Sequence, residues 1–378
     1  MIDPRVERLA RVVCEHSLGA KPGELMLIEA PAIAEPLVVE LVKAALEAGA
    51  LPRVRVVGEG VQHAFLSEAS DEQLRTLLPS ALPEMEALDL RVAVHASVNT
   101  RELSGVDPAK MAALQEARRP VMDRYMQRSA AGELRWCVTA FPCEAFAQDA
   151  DLSLDAYEDF VYRAGWLHLD DPVAAWHAFA GTLREIAERL AGVRELRVVA
   201  QDTDLTVGVA GRRWIPCHGD RNFPDGEVFT GPIETETRGD VRFSFPAIFG
   251  GREVQDVRLR FEGGRVVHSE AAGGEELLRQ MLAIDDGASI LGEFAIGTNY
   301  GVERFTKQIL FDEKIGGTCH MAVGAGYPET GSTNTSGLHW DMVCDLRSGG
   351  EIYADGELIH RDGRFLPQFA PDLTPPGA

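Results

Sequence analysis

Gly292-Glu293, Cys319-His320, Tyr327 and His339-Trp340-Asp341 fall within one Gly-rich stretch of the chain. Carboxylates and imidazoles are the ligand types that hold zinc, cobalt, manganese or iron(II). In an extended His339-Trp340-Asp341 the two outer side chains leave the same face of a strand, because strand side chains alternate with period two, and both can reach one ion. Any one of these histidines alone reads as readily as a surface or hydrogen-bonded residue. The gathering of Glu293, His320, His339 and Asp341 in a segment richer in Gly than a packed core needs is what points to a metal site. Cys319 and Cys344 stand close by, but alternation puts Cys319 on the face opposite His320, which argues against thiolate ligation.

The rest of the chain must position these groups. Its 378 residues, 45% of them apolar, suffice for two or three domains with real cores. Thirty-seven Lys and Arg against 59 Asp and Glu give a net charge of −22, which speaks against nucleic acid or an anionic membrane as partner. The opening MIDPRVERLARVVCEH carries charges throughout, and no apolar run approaches the roughly 18 residues of a membrane span, so a soluble, cytoplasmic protein is expected. Six scattered cysteines (Cys14, Cys137, Cys143, Cys217, Cys319, Cys344) without a CxxC read as reduced core residues.

Residues 24 to 57 predict a strand (Glu24–Ile28), a helix (Glu35–Ala48) with Pro36 in its first turn and Gly49 at its end, and a strand (Arg53–Val57). One such unit favours a parallel sheet. A strand at Leu88–Val94, a helix from Pro108 to about Ala131, a strand at Leu134–Thr139 and helices Leu154–Ala164 and Pro172–Ala191 continue the pattern. From Leu196 the texture changes to short strands (Asp204–Ala210, Asp240–Phe245, Asp256–Phe261, Arg265–His268), with Glu262-Gly263-Gly264-Arg265 as a hairpin turn and Glu275–Ile284 as the one helix. The expected fold class is α/β: residues 1–194 form an α/β domain with a parallel sheet, and residues 195–378 a mixed α+β, strand-rich metal-binding domain. The tail Pro371–Ala378 is expected to be loose.

Taken in order, Asn222-Phe-Pro-Asp-Gly-Glu227-Val-Phe-Thr230, Leu291-Gly-Glu293, Phe311-Asp-Glu-Lys314, Cys319-His320-Met-Ala-Val-Gly324, Tyr327 and Ser336-Gly-Leu-His339-Trp-Asp341 resemble the aminopeptidase T family of metallo-aminopeptidases. Weaker echoes occur at Asn99–Glu102 and Leu152–Phe160, so the likeness spans nearly the whole chain. It implies two neighbouring divalent ions (zinc, cobalt or manganese) held by Glu227, Glu293, His320, His339 and Asp341, with Glu293 and Tyr327 in catalytic roles, a peptide or aminoacyl substrate, and a homodimer. Glu227 enters through this resemblance alone. Three carboxylates and two imidazoles suit such a pair, and two ions about 3.5–4 Å apart activate water and polarise a carbonyl. Two departures stand out: Lys314 where family members often have Asn, and a short stretch between Tyr327 and His339. Both are expected to bear on substrate preference.

Other readings compete. His320, His339 and Asp341 alone would make the 2-His-1-carboxylate triad of a non-haem iron(II) ring-cleaving dioxygenase, a class that looks similar to this peptidase family; Glu227 and Glu293 favour the two-ion hydrolase. A scaffold with structural metals would favour Cys-rich sites instead. Tyr327 before Pro328 could be a packed loop anchor, and Glu313-Lys314 an ion pair or solvated turn. Gly58-Glu59-Gly60 does not extend to a dinucleotide-binding motif, and Ser332, Thr333 and Ser336 lack a nucleophile elbow. The remaining histidines have no partner at ligand spacing.

Overall fold

Strand β1 spans Leu25–Pro31, helix α1 Glu35–Glu47 and strand β2 Leu51–Val57, close to the expected bounds. Proline sits in the first turn of α1, where its missing N–H costs nothing, and Gly49 leaves the helix in the left-handed region just past the Ala48 cap. The crossover lets β1 and β2 pair in parallel from Leu25–Leu51 to Pro31–Val57. Strand β3 (Leu90–His95), helix α2 (Pro108–Ala130) and strand β4 (Arg135–Ala140) repeat the arrangement, α2 starting at Asp107, whose carboxylate caps the Ala109 N–H. The two-residue strand Asn222–Phe223 pairs with the far side of β4, giving the all-parallel order β2-β1-β3-β4-(222–223). Three short helices, Val61–Glu68, Asp71–Arg75 and Ala81–Ala87, fill the connection from β2 to β3.

This computed structural model describes residues 3–374; of the expected loose tail Pro371–Ala378, residues 375–378 lie outside the described residues. The chain forms two compact units, Met1–Val173 with Gly219–Phe223, and Ala174–His218 with Pro224–Ala378. The change of texture near residue 195 coincides with the start of strand Glu195–Ala200, while the division into units falls one helix earlier, at Pro172–Leu190. Among the described residues no helix is long and apolar enough to cross a membrane.

The second unit is strand-rich. An eight-stranded antiparallel sheet contains Glu195–Ala200, Thr203–Gly208, Arg238–Phe243, Val257–Glu262 and Arg265–Glu270 together with the last three strands of the chain. Gly263 and Gly264 both take positive φ, which is the two-residue turn that matches the twist of the hairpin they join. A five-stranded antiparallel sheet follows, made of β5 (Ile215–Cys217), β6 (Glu227–Thr230), β7 (Leu291–Gly297), β8 (Thr318–Gly324) and β9 (His339–Asp345), in the order β9-β8-β7-β6-β5. Every residue of β6, β7 and β8 is buried, so both faces of these strands are covered.

Candidate metal centre

The five-stranded sheet carries all five expected ligands on one face. Pairing sets Glu293 of β7 opposite Ala322 of β8 and Ala322 opposite Asp341 of β9; His320 lies two residues from Ala322, and Glu227 of β6 pairs with Gly297 of β7. Counting by twos from these pairs puts Glu227, Glu293, His320, His339 and Asp341 on the same side. The positions between them on that side are Ala295, Gly297, Ala322 and Gly324, whose small side chains leave room in front of the sheet. Phe294, Ile296, Cys319, Met321, Met342 and Cys344 fill the reverse side as core, where Cys319 and Cys344 are register partners. At Gly292 the β7–β8 register shifts, a bulge that re-aims Glu293; a Cβ there would stand 2.4 Å from the Gly324 carbonyl oxygen, so only glycine fits.

The side chains converge. His320 Nε2 is 3.2 Å from Glu227 Oε2 and 3.6 Å from Glu293 Oε1; His339 Nε2 is 3.3 Å from Glu293 Oε2 and 3.4 Å from Asp341 Oδ1. Ligand atoms of Glu227, Glu293 and His320 lie within 4.8 Å of one another, as do those of Glu293, His339 and Asp341, so Glu293 belongs to both groups. Burial drives both imidazoles toward neutrality, but the facing carboxylates win: Glu227 and Glu293 hold His320 up at about 9, and Asp341 and Glu293 hold His339 up at about 11. Burial likewise raises Glu293, and the hydrogen bonds from the two imidazoles bring it down to about 2.

These residues fit divalent cations. His339 Nδ1 donates to the Ala325 carbonyl at 2.8 Å, so neutral His339 presents a lone pair at Nε2, facing two carboxylates. Lone pair against carboxylate is repulsive unless a proton or a metal lies between them. Glu227 Oε2 and Asp341 Oδ1 are buried and, among the described residues, receive no well-aligned hydrogen bond; each has only an imidazole nitrogen, at 3.2 and 3.4 Å.

Sequence reasoning missed part of the cluster. Lys314, expected in a solvated turn or ion pair near the substrate entrance, is 1% exposed: its ammonium pairs with Glu227 Oε1 and Glu313 Oε1 at 2.6 Å and with Asp225 Oδ1 at 3.4 Å. The ion pair is there and the solvent is not. Burial works against the charge of Lys314, and the three carboxylates more than offset it, holding the amine well above its ordinary value. Burial pushes Glu313 up to about 7 although Lys314 pulls it down. Glu313 forms a further metal-capable group with His320 and Asp341, and Cys217 of β5 another with Asp225 and Glu227. Asp225-Gly226 reads in sequence as an ordinary turn; what sets it apart is Gly226, at φ +130°, whose carbonyl accepts from the Thr298 N–H while Asn299 Nδ2 donates to the Asp225 carbonyl.

Tyr327 stands at the mouth of the site. Its ring packs edge-on against His339 and Phe229, with centroids 5.2 and 5.3 Å away, and 41% of the residue remains exposed. Burial and the nearby carboxylates push the phenol far up, which keeps it a hydrogen-bond donor at neutral pH. The short loop to His339 is stapled: Glu234 accepts from Ser332 Oγ and the Thr333 N–H, and Asp285 from Ser336 Oγ and the Gly337 N–H. The hydroxyls of Ser332, Thr333 and Ser336 are thus engaged with Glu234 and Asp285.

A sequence profile described as thermophilic metalloprotease (M29) matches residues 2–365. The chain belongs to this family. Aminopeptidase 2 of Geobacillus stearothermophilus is 27% identical, over 97% of both chains, and aminopeptidase T of Thermus thermophilus is 29% identical, over 94% of this chain and 91% of its own. The wild-type AmpT structure from Thermus thermophilus superposes with a TM-score of 0.85 at 26% identity, covering 97% of this chain and all of that one. This M29 member is thus a metal-dependent aminopeptidase, a hydrolase of the aminopeptidase T type with an α/β unit and a strand-rich unit. A 2,5-dihydroxypyridine dioxygenase from Pseudomonas putida shares the fold with a TM-score of 0.60, at 12% identity.

Proposed function

We propose that the enzyme removes N-terminal residues from peptides with two divalent ions, zinc, cobalt or manganese, one at Glu227, Glu293 and His320 and the other at Glu293, His339 and Asp341. The observation that carries this is Glu293, which lies in both ligand groups with one oxygen toward each imidazole. Charge supports divalent binding: Asp225, Glu227, Glu293, Glu313 and Asp341 are five carboxyl groups against the one ammonium of Lys314, an excess of negative charge even with Glu313 pushed up to about 7. Bound there, the ions supply an activated water and polarise the scissile carbonyl. Glu293 fixes the two positions relative to each other, and the Tyr327 hydroxyl donates a hydrogen bond to the oxygen on which charge develops. A carboxylate of the cluster takes the protonated α-amino group of the substrate. We further propose a homodimer working in the cytoplasm.

Metal content per chain, measured together with turnover of a panel of aminoacyl amides, tests the reading. Two ions per chain and release of the N-terminal residue are expected. One iron per chain with oxygen uptake on a dihydroxypyridine, and no amide turnover, would replace it with ring cleavage.

A further inference from the structure

We infer that Lys314 is a built-in cation of the metal centre that makes its two ion positions unequal: the Glu293–His339–Asp341 position fills first, and the Glu227–Glu293–His320 position second and more weakly. The inference rests on the two-ion reading above. Glu227 is divided between two charges. Its Oε1 lies 2.6 Å from the Lys314 ammonium, and its Oε2 faces His320 at 3.2 Å. A metal bound through Oε2 therefore shares its carboxylate with an ammonium on the other oxygen, in a pocket where Lys314 is 1% exposed and water does not screen the two.

The first position shares no carboxylate with Lys314. Among the described residues the ion pairs of Lys314 reach Asp225, Glu227 and Glu313, none of which belongs to the Glu293–His339–Asp341 group. Lys314 also cannot easily retreat. Its ammonium sits among three carboxylates, and its backbone N–H is bonded to the Phe311 carbonyl while its own carbonyl accepts from Asn299. In a medium of effective permittivity about 20, the repulsion of a divalent ion by one unit charge falls, over the roughly 4 Å that separates two such ions, by more than a tenfold change in a binding constant.

The test is stepwise metal binding. Holoenzyme is exposed to graded chelator, and zinc release is followed by metal analysis; chelator-stripped protein is then titrated with Zn²⁺ alone by calorimetry. Wild type is expected to lose and regain its ions in two stages separated by tenfold or more. Lys314→Met is expected to narrow that gap by tightening the second stage at least tenfold more than the first, and Lys314→Arg to keep the gap. Glu227→Gln is expected to retain the first ion alone. Two equivalent ions in wild type would overturn the inference and leave the two-ion reading standing, and this arm needs no variant to fold. An unchanged gap in Lys314→Met would also overturn it. One ion in wild type and two in Lys314→Met supports it in its strongest form; one ion in both removes the two-ion reading and the inference with it.

Discussion

Replacing Glu293 by glutamine keeps the volume of the side chain and deletes its charge at the one residue common to both ligand groups. Zinc sites with four protein ligands contribute roughly 10–16 kcal/mol, or about 2.5–4 kcal/mol per ligand, and each 1.4 kcal/mol is about a factor of ten. Losing the charged oxygen should therefore weaken binding about 10²–10³-fold, and the loss is felt at both positions because Glu293 faces His320 with one oxygen and His339 with the other. Glu293→Gln is expected to leave gel filtration largely free of metal and to have no measurable turnover of aminoacyl amides. Unfolding followed by circular dichroism should remain cooperative, since the strands around it are held by the β6–β9 ladder and a largely apolar reverse face. Full metal content with wild-type kcat/KM would refute the reasoning and move the site elsewhere.

His320→Ala is expected to lose metal and turnover in the same way, again checked by metal analysis and amide hydrolysis. Tyr327→Phe should lower kcat by roughly 10²–10³, the effect of losing one oxyanion donor, with KM and metal content little changed; full kcat with full metal would leave Tyr327 as the loop anchor its packing against Phe229 allows. Gly226→Ala forces an L-residue to φ +130° with its Cβ 2.7 Å from that of Asn299, so backbone strain of about 1–3 kcal/mol and overpacking of about 1–3 kcal/mol should lower the urea midpoint clearly. In the metal-free protein, His320 and His339 titrate at about 9 and about 11, above their ordinary 6.5, so their stabilisation is complete below pH 6.5 and is lost as pH rises through those values. Glu293, at about 2 against 4.5, contributes above pH 4.5 and loses its contribution as pH falls toward 2. Melting temperatures of chelated protein should thus fall from pH 6.5 to 10, while the metal-loaded enzyme lacks that decline; a flat profile for the chelated protein counts against the paired imidazoles.

Periodicity made the first unit legible. Helices such as Glu35–Glu47 and Pro108–Ala130 are long enough to show their starts and stops, whereas those between Val61 and Ala87 span only two turns or so. In the second unit β7 and β8 are covered on both faces, and LGEFAIG and TCHMAVG therefore show no alternation to mark them. That Glu293, His320, His339 and Asp341 gather in one cluster was legible from residue type and spacing. Glu227 was not, since its approach depends on the long-range pairing of β6 with β7, and no local signal marks that contact. For Lys314 the ion pair was legible and its burial was not. A lysine after two acids is ordinarily solvated, and only the tertiary fold closes Asp225, Glu227 and Glu313 around it.

Carrying one metal-facing group on each of several neighbouring strands makes ion binding a check on how the chain has folded. If β8 slipped by one residue against β7, Cys319 or Met321 would occupy the place of His320, and the whole strand would turn its apolar side to the pocket. Such a chain would keep its strand content and much of its core, yet the Glu227–Glu293–His320 position could hold no cation. Newly made protein sorted by retention of metal would therefore be sorted by strand alignment, and a preparation with less than full occupancy can reflect misaligned molecules as well as missing ions.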